Sequence, residues 1–341
     1  MISTLSSQAW RPRPSERIRS KSYIAWFALV VFAMLIDIPG SAAQVVAEFH
    51  RTLIVASTQP LTLEIQVSSG DIDIFYARDG QVSISAVAKA SGGALLDDDF
   101  FLKALTIDQR ENHLSVLHVP DPAYDDSKIK VLYRIDVPYR TEVISRLNRG
   151  HQKISGIMGP VRALVRSGDI RADYIAKGLQ AEVDNGNLDI RVVGEHVEAK
   201  TGSGNISCTR VPEGVSAETG GGDITLMVVG PSTAQVKGGR GRIEVGGARG
   251  SFRGSTVEGD LHVKAIPHDD WQLSSASGDV LLEFPPAANL ELEASTTAGE
   301  FQIDRDDIAK PLPDVHRFEQ KVNGGGKRIE VHTVSGKIVI R

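Results

Sequence analysis

The sequence predicts an all-β protein, a single-chain parallel β-solenoid of ~18-residue coils with an irregular β cap at its N-terminal end. Three observations carry this reading. A short unit recurs along the chain: VSSGDIDI (67–74), VRSGDIRA (165–172), VDNGNLDI (183–190), TGSGNISC (201–208), TGGGDITL (219–226), VEGDLHV (257–263), SASGDVLL (275–282) and VSGKIVI (334–340). Its glycine falls at Gly150, Gly168, Gly186, Gly204 and Gly222, every eighteenth residue, and then at Gly241, Gly259, Gly278 and Gly299. Composition agrees, with 33 glycines and only 6% aromatic residues, a profile of short strands and many turns rather than helices.

The chain opens on Arg11, Arg13, Arg17, Arg19 and Lys21, followed by an apolar run from Tyr23 to Ile36 and a small-residue exit through Ser41, Ala42 and Ala43. That order predicts a signal peptide over 1–43, cleaved near Ala43 to expose Gln44. The alternative is an uncleaved anchor helix, but the run is shorter than the roughly 20 apolar residues a span needs, so no stable membrane span is expected in the mature form. The protein is therefore expected in the periplasm, on the cell surface or secreted.

Residues 44–149 form an N-terminal β region. It holds the first unit, with Leu63, Ile65 and Val67 ahead of Gly70, and then a less periodic stretch from 91 to 149. There Asp97 to Leu105 suits a helical turn or two, while Leu114–Val119 and Lys128–Val137 alternate as strands, the latter ending at Pro138. This stretch is expected to close the stack, because an open solenoid end exposes unpaired backbone.

The regular coils span 150–303. After each glycine an apolar residue recurs at Ile170, Leu188, Ile206, Ile224, Ile243, Leu261 and Val280, and two residues on at Ala172, Ile190, Cys208, Leu226, Val245, Val263 and Leu282. Before it, Leu179, Ala181 and Val183 match Val197, Ala199 and Thr201, then Val215, Ala217 and Thr219. Each coil thus offers two strands, buried on one face, around a glycine turn. Four residues before the glycine stand Glu182, Lys200, Glu218 and Lys237, which alternate in sign and become neighbours if coils stack about 4.8 Å apart. Residues 304–326, with Pro311, Pro313 and three consecutive glycines, are expected to be a surface loop, and 327–341 a final repeat unit.

These tandem units, the signal segment and the Val137–Pro138 step leading out of an irregular β region resemble the bacterial putative-adhesin family of YvlB-like repeat proteins, over about Val45 to Arg341. The resemblance implies a β-solenoid and an envelope or surface location. The chain departs from its pattern at Arg242, Glu300 and Lys337, where Asp or Asn is usual. The family supplies no catalytic residues, so none is transferred.

One column invites a chemical reading: Asp169, Asn187, Asn205, Asp223, Asp260 and Asp279 directly follow the turn glycines. Oxygen ligands in a row could hold calcium. Asp and Asn also satisfy backbone groups in tight turns, and Asn187, Asn205 and Arg242 dilute the charge, so a structural role is expected and no metal site is assigned. Nine histidines show no zinc or triad spacing; His262, between Leu261 and Val263, should face solvent. The lone Cys208 excludes an intrachain disulfide and belongs to an inward column. Ser167, Ser203 and Ser277 lack a recurring histidine partner, and the glycine runs at 220–223 and 238–241 lack the lysine and helix of a phosphate loop. No catalytic, cofactor-binding or metal-binding residue is expected, and no cofactor.

Cleavage after Ala43 leaves 33 basic and 41 acidic residues, a net charge of about −8 that argues against a nucleic-acid partner. The function expected is a non-catalytic envelope or surface protein presenting a repetitive face to an envelope protein or a glycan, or to another copy of itself. Two alternatives are a polysaccharide lyase or hydrolase on the same scaffold and a regulatory partner in an envelope stress system.

Overall fold

A computed structural model describes residues 46–55, 59–77, 80–92, 96–312 and 314–341. The proposed signal segment and its cleavage point lie outside them. No helix among the described residues is long and apolar enough to cross a membrane. The described chain forms two sheets of 14 strands each, mostly parallel and unclosed, as a β-solenoid requires.

One coil illustrates the rest. The strand Leu179–Asn185 lies in the second sheet, Gly186 turns the chain, and Leu188–Val193 lies in the first sheet. The next coil repeats this in register, Val183 pairing with Thr201 and Ile190 with Cys208. Period-2 alternation puts Leu179, Ala181, Val183, Leu188 and Ile190 inside at 2% exposure or less, so the core is a stack of identical layers between the sheets.

The glycine is needed for two reasons. Gly186 has φ +145°, and a Cβ there would fall 2.0 Å from the carbonyl oxygen of Gly168 in the preceding coil. No side chain fits that approach. From the next coil the Thr201 hydroxyl donates to the Gly186 carbonyl at 2.9 Å, and Thr219 does the same for Gly204 at 3.0 Å, which accounts for buried threonines in an otherwise apolar column.

The N-terminal end is capped by antiparallel pairing. Val46–Ile54 pairs with Gln81–Ala90, which pairs with Ile129–Val137; in the second sheet Leu105–Arg110 pairs with His113–His118. A five-residue helix, Phe100–Ala104, buries Phe100 and Phe101. The strand Thr141–Arg149 is already a regular solenoid rung between Leu61–Ser69 and Val161–Ser167, so Gly150 stacks on Gly70.

The C-terminal end departs from the order expected of the glycines. Gly299 does not follow Gly278 in the stack. Lys327–Ser335 inserts between Trp271–Ser277 and Leu290–Thr296, and Ile338–Ile340 inserts between Val280–Glu283 and Phe301–Ile303. Gly336 therefore occupies the rung between Gly278 and Gly299. Nor is 304–326 only a loop. It contains the strand Arg317–Val322, which runs antiparallel to Leu290–Thr296 and buries Phe318 and Val322. That edge would otherwise expose a row of unpaired backbone groups.

Candidate functional site

The Asp/Asn column forms a hydrogen-bonded ladder across the coils. The Asn187 N–H donates to Asp169 Oδ1 at 2.8 Å, Asn205 N–H to Asn187 Oδ1 at 2.9 Å, and Asp223 N–H to Asn205 Oδ1 at 2.8 Å. Arg242 N–H donates to Asp223 Oδ1, Asp279 N–H to Asp260 Oδ1 and Lys337 N–H to Asp279 Oδ1, at 2.7 to 3.0 Å. One coil earlier His151 donates its own N–H to Asp71 Oδ1 at 2.9 Å and stands in for the Asp or Asn, its Nδ1 accepting from the Asp169 N–H at 3.2 Å. After most of these glycines one strand-entry N–H points along the stack, and a short side-chain oxygen one coil below receives it; at Arg242, which carries no such oxygen, the ladder is broken before Asp260. One oxygen of each of these side chains is thus already engaged. Among the described residues no group of three or more His, Cys, Asp and Glu side chains converges as a metal-ligand set.

The outward columns of the second sheet carry the clearest break in the repeat. Glu182, Lys200, Glu218 and Lys237 stack in register, although the Lys200 ammonium hydrogen-bonds Glu198 on its own strand. After Lys237 the column loses its long charged side chains: Ser255, Ser274, then His332 of the inserted strand, then Ser295. The adjacent column carries Gln235, Arg253, Gln272 and Glu330. Between long side chains on one border and short hydroxyls on its floor, this face forms an open groove of about 470 Å³ across five strands. A second hollow of about 480 Å³ continues it and shares Arg253, Gln272 and Glu330.

The groove's two carboxylates, Glu293 and Glu330, are paired. Arg328 and Arg317 both bond Glu293, and hydrogen bonding from the Arg328 guanidinium holds the Glu293 carboxyl below the usual range. Arg328 also pairs with Glu330 at 3.0 Å, and Gln272 Nε2 donates to Glu330 at 3.2 Å. The groove therefore offers hydroxyl, amide and imidazole groups together with the cations of Lys237 and Arg253. Ser295 Oγ lies 3.0 Å from His332 Nδ1, which brings a hydroxyl and an imidazole together. Acyl transfer also needs donors preorganised for an oxyanion, and here the backbone amides of the flanking strands are engaged in the parallel ladder.

Sequence reasoning missed this groove. The switch from Lys237 to Ser255 and Ser274 was its visible signal; His332 carries none, because it enters the column from the chain's last unit. Cys208 is where the inward pattern placed it, 1% exposed between Ile190 and Leu226, and burial pushes its thiol up to about 12. His262 points outward as expected but is covered by Glu283, leaving its side chain only 29% exposed.

A family model described as Toastrack DUF4097 matches residues 62–341. No curated protein matches the sequence. Among solved structures, a protein described as a "putative cell adhesion protein" from Clostridium sporogenes is 11% identical, over 86% of this chain and 98% of its own, with a TM-score of 0.22. A "putative adhesin" from Parabacteroides distasonis is 12% identical over 67% and 94%, with a TM-score of 0.40. One from Bacteroides fragilis is 9% identical over 86% and 97%, with a TM-score of 0.29.

Proposed function

The chain belongs to the Toastrack DUF4097 family, and from that premise we propose that it is a non-catalytic, exported envelope or surface protein whose repetitive β-solenoid face binds an envelope protein or a glycan. The observation that carries this reading is the groove over Ser255, Ser274, His332 and Ser295, where the charged column gives way to short polar groups across consecutive coils. Such a surface recognises an extended partner by many similar hydrogen bonds. Catalysis instead needs a few groups in contrasting environments. Export is supported by the basic, apolar and small-residue order of residues 1–43.

The test is capture of envelope material by the immobilised mature protein, with Ser255→Arg and Ser274→Arg variants that fill the groove without touching the core. Retention by the parent and loss by both variants, with unchanged circular dichroism, is the expected result. Steady release of reducing ends from an envelope polysaccharide, abolished by Ser295→Ala, would replace the binding reading with an enzymatic one.

A further inference from the structure

At the corner opposite the glycine turns, where the first sheet passes back to the second, the three exposed tyrosines of the described residues come together. Tyr76 is 40% exposed, Tyr139 49% and Tyr174 64%. The rings of Tyr76 and Tyr139 meet edge to face with centroids 5.8 Å apart. Tyr76 and Tyr174 are separated by one coil, whose residue at this position is Gly156. The strand pairs Phe75 with Ser155 and Ser155 with Asp173, so Tyr76, Gly156 and Tyr174 follow one another in a single column. A Cβ on Gly156 would lie 3.3 Å from that of Tyr76. The same register continues the column through Val192 to an exposed Arg210. Large residues, Tyr76, Tyr174 and Arg210, thus alternate with the smaller Gly156 and Val192. At about 4.8 Å per coil the large ones recur every ~9.6 Å.

Tyr174 holds its place against backbone preference. Its φ is +56°, in the left-handed region, and the same position of other coils is left-handed too, in Gly156 (+75°), Val192 (+53°), Arg210 (+58°) and Gly247 (+73°). Glycine would sit there without strain. The left-handed step recurs along the column, so what distinguishes Tyr174 is its ring, the most exposed of the three.

The chemistry of the strip selects an occupant. A tyrosine ring presents an electron-rich face to the C–H face of a sugar ring, while its hydroxyl and the Arg210 guanidinium reach the hydroxyl edges. Lys177, beside Tyr174, is paired with Glu195 at 2.5 Å, so its charge is already matched. The corner spans only residues 156–160, between strands ending at Ser155 and starting at Val161. It is about as wide as the ~10 Å gap between packed sheets, room for one sugar chain, whereas a stable protein interface covers about 800 Å² per partner. The two-coil spacing of the large residues suits the repeat of an extended β-linked disaccharide.

We propose that Tyr76, Tyr139 and Tyr174, with Arg210, form a stacking site for a linear neutral β-linked glycan lying along the solenoid axis, alternate rings seated on Tyr76 and Tyr174. This rests on the binding reading above, names its ligand class, and uses a surface separate from the groove.

Calorimetric titration of the mature protein with cellohexaose and chitohexaose tests it, with maltohexaose as the α-linked control whose curved chain cannot keep the spacing. Both β-linked hexaoses should bind and maltohexaose should not. Tyr174→Gly should weaken binding by about tenfold, the worth of one aromatic stacking contact, with Tm unchanged or raised because glycine suits that φ. Tyr76→Ala should weaken it similarly. The groove variant Ser274→Arg should leave hexaose binding intact even where it abolishes envelope capture, which separates failure of the groove reading from failure of this one. The proposal is overturned if neither β-linked hexaose binds at millimolar concentration, if Tyr174→Gly binds as the parent does, or if maltohexaose binds equally. It is also overturned if Tyr174→Gly abolishes capture of an envelope protein by a chain that binds no hexaose, which would make the corner a protein-binding surface.

Discussion

Gly336 stacks directly on Gly278: a Cβ on Gly336 would lie 2.1 Å from the Gly278 carbonyl oxygen, while a Cβ on Gly299 would lie 1.8 Å from that of Gly336. The last unit of the chain is therefore an internal rung, and the two sheets reach Leu290–Thr296 and Phe301–Ile303 only through it. Removing residues 327–341 should leave the strands Trp271–Ser277 and Leu290–Thr296 facing each other without register. A truncated protein is expected to melt at a clearly lower temperature, or to aggregate, and to become protease-sensitive from about residue 284 onward. Melting at the parent temperature would show that the inserted rung contributes little.

The glycine column gives a sharper comparison. Gly186→Ala combines a φ of +145° with a 2.0 Å approach to backbone, and the stacked coils leave neither group free to move. A loss of about 3 kcal/mol or more is expected, at the far end of single-substitution effects. At Gly178 the nearest atom to an added Cβ is 3.5 Å away, an ordinary contact. Gly178→Ala should change stability by about 0.5 kcal/mol or less. Urea titration of the two variants measures the difference.

The turn ladder predicts which changes the Asp/Asn column tolerates. Asn205 both accepts from Asp223 N–H and donates its own N–H to Asn187. Asn205→Ala removes only the acceptor, at an exposed turn where water substitutes in part, and should cost about 1 kcal/mol. Asn205→Asp keeps the acceptor and should cost less. Because this oxygen is engaged by a backbone donor, calcium and chelator should give coincident melts. A marked rise in Tm with calcium would make the column a ligand ladder instead.

How far the sequence reveals the fold depends on whether the information is local. The rung-to-rung register of Leu188, Ile206 and Ile224 was legible because each coil repeats the same steric demand at its glycine, so period and burial could be counted. The position of Gly336 was not, because pairing of Lys327–Ser335 with both Trp271–Ser277 and Leu290–Thr296 depends on strands distant in the chain. The strand Arg317–Val322 hid among prolines and glycines for a related reason: it is stabilised by covering an edge rather than by a strong pattern of its own. The same nonlocality separates the column readings from the groove. Glu182 to Lys237 could be aligned by counting, but His332 joins Ser274 and Ser295 only through the inserted rung. At the corner, Tyr76 and Tyr174 share a column only because Thr141–Arg149 and Gln152–Ser155 return from the cap to lie between them.

Cys208 tests the inward register by reactivity. It is 1% exposed, and burial in the apolar column, with a smaller contribution from the Asp189 charge, pushes its thiol up to about 12. Thiolate is the reactive form, so at neutral pH the native protein should resist a maleimide and label at once after denaturation. Fast labelling of the native chain would mean that Ile190, Cys208 and Leu226 do not form one inward column.

The cap supplies the pH dependence. His118 is 4% exposed, its ring lies 5.7 Å from that of the buried Tyr133, and no group among the described residues hydrogen-bonds its Nδ1. Burial lowers its pKa, outweighing the opposing pull of the Asp126 carboxylate. In the unfolded chain the imidazole regains its ordinary value of about 6.5 and takes up a proton that the folded cap excludes. Stability is therefore complete above that value and falls as pH drops below it, until the lowered folded pKa is reached and the loss levels off. His118→Phe keeps an aromatic ring against Tyr133 and removes the titration. It should flatten the dependence of Tm on pH below 6.5 and raise Tm at the acid end of that window, with little change at pH 8. An unchanged acid slope in this variant would assign the dependence to the paired carboxylates of the outer faces rather than to the cap.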